Sequence, residues 1–558
     1  MKKKTQNIKA NKQTVKIIPI GGLGAIGKNI TLFEYNGDII IVDCGIAFPD
    51  DETPGVDLII PDFSYIVENK KRIKAMIITH GHEDHIGAIP YLLREINVPI
   101  YATKLTIGLI QSRLEKHPID SNVRFIEVSP RDIHSIGQFS IEFIRVNHSI
   151  YDGVALAIMT PVGTIIHTGD FKIDLSPVDN NVIDLYSFAA HGEQGVLLLM
   201  SDSTNASKPG FTRSESYLED RLIQIFASAK GRIITATFAS NISRIQQILD
   251  TAQRFNRKVA VSGLSMQKNI EIAKTLGYLN VRDDLLVDPE KASSFPDKKL
   301  VIISTGTQGE PMSALSKIAF GTHRQFKAQK GDTVVIAASV IPGNERMVTN
   351  VVNTLMELGA KVYDDQRGDI HVSGHGSSKE LELMIAMTRP KFFMPVHGEF
   401  RHMQAHANLA ESLGIKTDNI LIASNGDILE LTQSSFVKKG SIEISRIYVH
   451  GTETGDTANS MITDRQQMAH DGIVVITVII SQGIMLDDPV VITRGVFAQE
   501  NKAVIEKMKK DISQRIKRML KKNLTVSEIR AALENDLGNL LFRLTKRNSL
   551  IEVQVIEI

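Results

Sequence analysis

The chain has 558 residues, 42% apolar and 23% charged, the composition of a folded protein too long for one core, so two or three domains are expected. A formal net charge of +1 excludes a globally basic nucleic-acid coat, so any polyanion site must be a local patch. The single cysteine, Cys44, excludes a disulfide framework and a cysteine-rich zinc module; it fits a reducing compartment as a small buried residue.

The N-terminus is rich in lysine (Lys2, Lys3, Lys4, Lys9, Lys12, Lys16) without the apolar core of a signal peptide, and no stretch has a membrane-spanning apolar length. A flexible tail over 1–14, a cytoplasmic location and no membrane partner are expected. Short strands with tight turns are predicted over 15–44, with Gly21, Gly22, Gly24 and Gly27 in one glycine-rich loop. As a nucleotide fingerprint that loop is weak, and a close backbone approach explains it better. A buried strand over 39–43 ends in Asp43, which either orients a metal-binding histidine or caps a turn.

The densest signal follows. An apolar strand over 74–79 runs into His80-Gly81-His82-Glu83-Asp84-His85, three imidazoles and a carboxylate on one loop. Gly81 allows the backbone to turn without a side chain. A single tetrahedral ion that keeps a water needs three protein ligands at most, so four donors this close, with more from elsewhere, suit two ions side by side. His148 follows a strand over 141–146, and Asp170 follows a strand at 164–168. Asp43, the His loop, His148 and Asp170 thus stand in series at strand ends, read as belonging to one sheet, where open α/β sheets place their sites. A further strand over 196–200 ends in Ser201-Asp202-Ser203-Thr204-Asn205.

From residue 213 a regular strand–helix series predicts a second, parallel α/β domain inserted in the first and running to 370. Thr305-Gly306-Thr307-Gln308-Gly309 and Ser373-Gly374-His375-Gly376 are loops rich in donors, suited to phosphate, although taken singly each reads as an ordinary glycine turn. A strand over 392–396 delivers His397. Beyond residue 445 come a strand over 473–480, helices over 499–521 and 525–542, and a final strand over 551–556, with no catalytic cluster. The lysine- and arginine-rich stretch 502–522 reads as a solvated helix face.

Thr79-His80-Gly81-His82-Glu83-Asp84-His85, His148, Thr168-Gly169-Asp170 and Pro395-Val396-His397-Gly398-Glu399 resemble the metallo-β-lactamase superfamily. Ser201–Asn205, Thr237-Phe238-Ala239-Ser240-Asn241, Thr305–Pro311 and Ser373–Gly376 resemble its β-CASP group of nucleases, and residues 15–558 together are similar to the bacterial ribonuclease J family. The resemblance implies an α/β protein: a metallo-β-lactamase αββα sandwich (15–212 and 371–444), a parallel β-CASP domain (213–370), and a small α+β assembly domain with its linker (445–558). It implies a metal-dependent ribonuclease, with 5′-to-3′ exonuclease and endonuclease activity on single-stranded RNA, acting in mRNA decay and RNA maturation, including rRNA processing.

By the same resemblance His80, His82 and His148 would hold one zinc ion, Asp84, His85 and His397 the other, and Asp170 would bridge them, with Mn²⁺ or Mg²⁺ as alternative ions. Asp202 and His375 would handle the scissile phosphate and leaving group. Ser240, Asn241 and the run His371-Val372-Ser373-Gly374-His375 would bind RNA phosphates. A homodimer or homotetramer, alone or with a paralogue or other RNA-decay proteins, is implied as the assembly. His450 stands where relatives are expected to carry an aspartate, which removes a ligand from any further structural cation there.

The chemistry agrees with this reading. Two ions supply a nucleophile at neutral pH and offset charge at phosphorus. Asp84 would accept the water's proton, and His375, held by Asp202, would protonate the departing ribose oxygen, leaving a 5′-phosphate product. A hydrolase of small thioesters or lactones would not need the inserted domain, and a non-catalytic scaffold would not need an intact ligand set.

Overall fold

A computed structural model of the protein describes residues 13–49, 53–119, 122–310, 312–341, 344–451, 453–497, 502–522 and 524–558. The lysine-rich stretch 1–12, Pro311 and the first residues of the helix expected from 499 lie outside them. The chain divides into two units, Met1–Ala47 with Ile60–Arg446, and Phe48–Ile59 with Ile447–Ile558.

In the first unit two sheets lie face to face. One has eight strands, in the order Phe436–Ser441, Asp427–Leu431, Val15–Gly21, Ile30–Tyr35, Asp38–Val42, Ile73–Ile77, Ile100–Ala102, Phe125–Glu127. The other has six, in the order Phe392–Val396, Val196–Asp202, Gly163–His167, Val154–Thr160, Phe139–Arg145, Ile133–Ile136. Alternation along the strands decides which face each residue serves. Ile17, Phe33, Ile40 and Ile77 of one sheet and Phe143, Leu156, Leu198 and Met394 of the other make a shared core. Their neighbours Ile144, Ala155, Ile166, Leu199 and Phe393 turn outward and pack on Phe188, Leu381, Met384 and Ala410 from three helices. This is the expected sandwich. The strand ends Asp43 and His80–His85 belong to one sheet, and His148, Asp170, Asp202 and His397 to the other. The sequence reading put the first four polar ends on one sheet; local patterning marks a strand but does not reveal its partner.

The inserted segment forms a third sheet, in the order Leu286–Val287, Lys258–Ser262, Leu300–Ser304, Ile233–Ala236, Thr333–Ile336, Lys361–Tyr363, with every pair parallel. Its strands are continuous apolar runs, as a sheet covered on both faces by helices requires.

In the second unit the long strand Ile473–Ser481 pairs with Val490–Arg494 and, in parallel, with Leu550–Glu557. Val474, Ile476, Val478 and Ile480 face the helices Lys502–Leu520 and Val526–Thr545 through Ile512, Ile516, Ile529, Leu533 and Leu537. The excursion Phe48–Ile59 also belongs to this unit, where the Asp57 N–H donates to the Val449 carbonyl (2.9 Å) and Asp57 Oδ2 accepts from the Gly451 N–H (2.6 Å). The sequence reading had kept 48–59 in the first domain, because a short polar segment carries no signal of a partner nearly 400 residues away.

Candidate metal centre

The strand Ile73–Ile77 is buried through Ile78 because Ala75, Met76, Ile77 and Ile78 have apolar neighbours on both faces. Polar residues begin where it ends. Gly81 packs under Leu109: a Cβ there would lie 2.6 Å from Leu109 Cδ1 and make that side chain shift. The short helix Glu83–Ile86 then turns Asp84 and His85 back toward the strand end.

Three histidines form the first half of the site. His80 Nε2 and His82 Nδ1 are 3.1 Å apart, and His82 Nδ1 and His148 Nε2 are 3.0 Å apart. His148 Nδ1 is 2.7 Å from the Gly374 carbonyl, which can only accept, so Nδ1 carries the proton and Nε2 presents a lone pair. Burial is the main cause that pushes His82 down to about 4, against the pull of Asp84 and Asp170. Burial also drives His80 and His148 well below the ordinary histidine range, with help from His85 and His82 respectively. Neutral imidazoles with converging lone pairs are the form that binds a cation.

Asp84, His85, Asp170 and His397 form the second half. His85 Nε2 lies 3.2 Å from Asp170 Oδ2 and 3.6 Å from Asp84 Oδ2. His397 Nδ1 lies 2.9 Å from Asp170 Oδ1. Burial would lower His85 and His397, but the carboxylates outweigh it, Asp170 foremost, and raise both well above the usual range. Burial would likewise raise Asp84 and Asp170, yet His85 and His397 hold both carboxyls below the usual carboxylate range. This half therefore attracts positive charge. Asp170 Oδ2 is also 3.8 Å from both His80 Nε2 and His148 Nε2, so one carboxylate reaches both halves.

Other residues fix the donors. Asp43 Oδ2 is 2.8 Å from His85 Nδ1 and 2.9 Å from the Thr79 hydroxyl, while Oδ1 accepts from the Thr79 N–H at 2.8 Å. Asp43, left open between two roles by the sequence, thus orients a histidine. Asp43 (φ 61°) and His397 (φ 53°) both hold the left-handed backbone that non-glycine residues rarely adopt, strain of the kind found at functional sites.

The donor set suits divalent cations. Within each half the candidate ligand atoms lie within 4.8 Å of one another. His397 Nε2 is buried without a hydrogen-bond partner although Asp84 Oδ2 stands 3.4 Å away, a geometry poor for a direct bond and suited to a shared ion. Imidazole nitrogens with carboxylate oxygens are zinc-type ligands.

His375 adjoins this cluster, its ring centroid 4.8 Å from that of His148. Its Nδ1 meets Asp202 Oδ2 at 2.7 Å, and Asp202 Oδ1 accepts from both the N–H (3.0 Å) and hydroxyl (2.8 Å) of Thr204. Burial lowers His375, but Asp202 outweighs it and raises the imidazole above the ordinary histidine value. The opposed cause acts on Asp202: burial would raise it, and His375 holds it far below the usual range.

The expected RNA-binding residues divide. Ser373 is fixed near His375, its hydroxyl accepting from Asn205 Nδ2 (2.8 Å) and from the His375 N–H (3.2 Å). Gly374 touches His148, and a Cβ there would fall 2.6 Å from the ring. Val372 is buried and Ser240 half-buried. His371 is pushed down to about 3 by burial and then by Arg244, so it is neutral. Asn241 caps the helix Ile242–Arg254 through its side-chain oxygen, which accepts from the Arg244 N–H at 2.9 Å. An asparagine just before a helix is a capping signal that could have been read from the sequence. Asn29 and Asn205 escaped it, since nothing local marks them. In the second unit His450 Nδ1 meets the Gly55 carbonyl at 2.6 Å and its Nε2 accepts from Arg465 Nη2 at 3.1 Å, so both ring nitrogens are engaged.

Models of four families match the chain: the metallo-β-lactamase superfamily over residues 23–182, the ribonuclease J β-CASP domain over 230–355, the Zn-dependent metallo-hydrolase RNA specificity domain over 365–420, and the ribonuclease J C-terminal domain over 460–558. These matches, with the sandwich and its donor cluster, define a metallo-β-lactamase-fold hydrolase carrying a β-CASP insertion. The chain is 42% identical to ribonuclease J 1 of Streptococcus pyogenes, over 98% of each protein. It is 41% identical to ribonuclease J of Thermus thermophilus over 97% of this chain and 95% of that one, and 36% identical to ribonuclease J2 of Bacillus subtilis over 99% and 100%. The chain belongs to the ribonuclease J family, and is a hydrolytic, metal-dependent ribonuclease. A crystal structure of an Enterococcus faecalis protein of unknown function, 17% identical, shares the fold with a TM-score of 0.53 over 75% of this chain and all of that one. Among the described residues no helix is long and apolar enough to cross a membrane.

Proposed function

We propose that the protein cleaves phosphodiester bonds of single-stranded RNA both from the 5′ end and internally, in mRNA decay and RNA maturation, with two zinc ions per chain or Mn²⁺ or Mg²⁺ in their place. In this reading His80, His82 and His148 hold one ion, Asp84, His85 and His397 the other, and Asp170 both. When bound, the ions lower the pKa of a water and offset the charge that develops on the phosphate.

The chain's own groups do the rest. Asp84 Oδ2, at the rim of the cluster and only partly buried, accepts the water's proton. His375, with Nδ1 held by Asp202, keeps its proton for the departing ribose 3′ oxygen, leaving a 5′-phosphate product. Ser240, His371 and the Ser373–His375 loop bind phosphates next to the scissile one. Asn241 contributes by fixing the start of its helix. The observation that carries this reading is the contiguity of the two ligand halves with the Asp202–His375 pair, metal donors and a proton donor in one cluster.

The domain boundaries follow the same reading: a sandwich over 15–212 and 371–444, the insertion over 213–370, and an assembly domain from 445. The outer face of the C-terminal sheet presents Val475, Ile479, Val490, Ile492 and Ile556, and supports a homodimer or homotetramer, open to a paralogue or other decay proteins. With mRNA and rRNA precursors as substrates, action in the cytoplasm follows.

The test is a time course on a 5′-monophosphorylated single-stranded RNA labelled at its 5′ end, with Mn²⁺ or Mg²⁺, beside His82→Ala. Labelled mononucleotide released only by the wild type is expected of the exonuclease, and short labelled fragments of the endonuclease. No cleavage by protein with two bound ions would overturn the proposal.

A further inference from the structure

The glycine loop before the metal cluster, read from sequence as a close approach of backbones, ends in Gly27-Lys28-Asn29. In the structure it approaches the ligands themselves. Gly22, Asn29, Asp43, His85, Asp170 and His397 line one cavity behind the second half of the site. Asn29 is only 9% exposed. Its side-chain Nδ2 lies 3.1 Å from the Asp84 carbonyl, 3.5 Å from Asp84 Oδ2 and 3.0 Å from His85 Nε2.

The amide can sit only one way. With Oδ1 in that place it would oppose the Asp84 carbonyl, an acceptor against an acceptor, so the NH₂ group faces the ligands. Oδ1 turns toward Gly22, where a Cβ would lie 2.5 Å from it; the backbone there has φ +87°. Glycine at 22 thus makes room for the Asn29 amide. The backbone is tied separately: the Asn29 N–H donates to the Asp84 carbonyl (3.0 Å), and the Asn29 carbonyl accepts from the Gly45 N–H (3.0 Å). These two bonds survive any substitution except proline, so the side chain has its own task.

We infer that the Asn29 amide is a positioning group for the Asp84–His85 half of the metal site. One N–H anchors the turn at the Asp84 carbonyl. The other lies within reach of Asp84 Oδ2 and holds that carboxylate beside His85, whose Nε2, 3.0 Å from the amide, keeps its lone pair for the ion. Asp43 restrains the far nitrogen of the His85 ring, so Asn29 and Asp43 position the two neighbouring donors of this half, Asp84 and His85. Among the described residues Asn29 makes no hydrogen bond to His80, His82 or His148, so its influence is confined to one half. Outer groups of this kind change metal affinity by about 10–100-fold when removed.

This inference rests on the two-ion reading, and the experiment separates the two. Purified wild type, Asn29→Ala and His82→Ala are stripped with chelator, reloaded with limiting Mn²⁺ or Zn²⁺, and assayed for bound metal by mass spectrometry. Two ions are expected in the wild type. Asn29→Ala should keep one tightly and bind the second about 10–100-fold more weakly. The Asn29→Ala/His82→Ala double variant should keep neither at limiting metal. Excess metal should restore the kcat of Asn29→Ala, with KM for RNA unchanged. Unfolding of the metal-free proteins checks that each variant folds; if Asn29→Ala does not, Asn29→Ser, too short to reach Asp84 Oδ2, is read in the same way. Two ions bound with wild-type affinity in a folded Asn29 variant would overturn the inference alone. A wild type that binds fewer than two would overturn the reading beneath it.

Discussion

The two halves of the metal site are built from the same imidazoles but make opposite electrostatic demands. The facing ring nitrogens of His80, His82 and His148 lie about 3 Å apart, His148 Nδ1 donates to a carbonyl, and burial keeps all three neutral. His85 and His397 lie against Asp84 and Asp170, which raise them. Burial alone therefore does not set a histidine's charge; the nearest carboxylate decides whether desolvation wins. The first half offers lone pairs without charge. The second brings a negative charge that a cation must match. Asp170, within 4 Å of donors in both, joins them.

The largest effect should come from removing that join. Asp170→Asn keeps the shape, takes away the shared charge, and should lower metal content in both halves. RNA hydrolysis should fall beyond the roughly 10⁴-fold that loss of a general acid costs. Retained metal in either half would show that the two are independent. His375→Ala comes next: turnover should drop by about 10²–10⁴-fold, with bound metal unchanged. A fully active variant would remove the acid role from His375.

The third effect is thermodynamic. In metal-free protein His82 sits at about 4, against the ordinary 6.5 of an unfolded chain. A depressed folded value means that the unfolded state takes up the proton first. The stability contribution is complete above pH 6.5 and is lost as the pH falls toward 4, by about 3 kcal/mol. His82→Ala should flatten the fall in denaturant-measured stability across that window, and an unchanged slope would contradict the neutral first half. His85→Ala should act with the opposite sign: a raised folded value gives stability that is full below 6.5 and lost as the pH rises through it. The smallest effect belongs to the substrate loops. Ser240→Ala should raise KM for RNA about tenfold, the worth of one hydrogen bond to a charged group, and leave metal content alone.

Much of this centre was legible because its signals are local. A strand that ends in His-x-His-x-Asp-His, and further strands ending in His148, Asp170 and His397, announce ligands through burial followed abruptly by donors. The parallel insertion was legible for a similar reason, in its repeated apolar strands and amphipathic helices. What escaped is non-local. No pattern in the chain says that Asp43 and His148 lie on facing sheets, that residues 48–59 join the C-terminal unit, or that Asn29 reaches across to Asp84. For Asn241 the sequence reading named RNA phosphates but not the cap to which its position one residue before a helix assigns its oxygen.

The contact between Gly374 and His148 has a further consequence. The loop that carries His375 accepts, through the Gly374 carbonyl, a hydrogen bond from His148 Nδ1, and so helps to set which nitrogen of that ring is free. Whatever stills the loop also stills the His148 ring. Binding equilibria joined in this way are reciprocal: if RNA on the loop tightens the hold on the ion by some factor, the ion tightens the hold on RNA by the same factor. The enzyme would then keep its metal best while engaged on a strand and release it most readily when idle, so that occupancy by substrate, and not concentration of metal alone, sets how much of the protein is active.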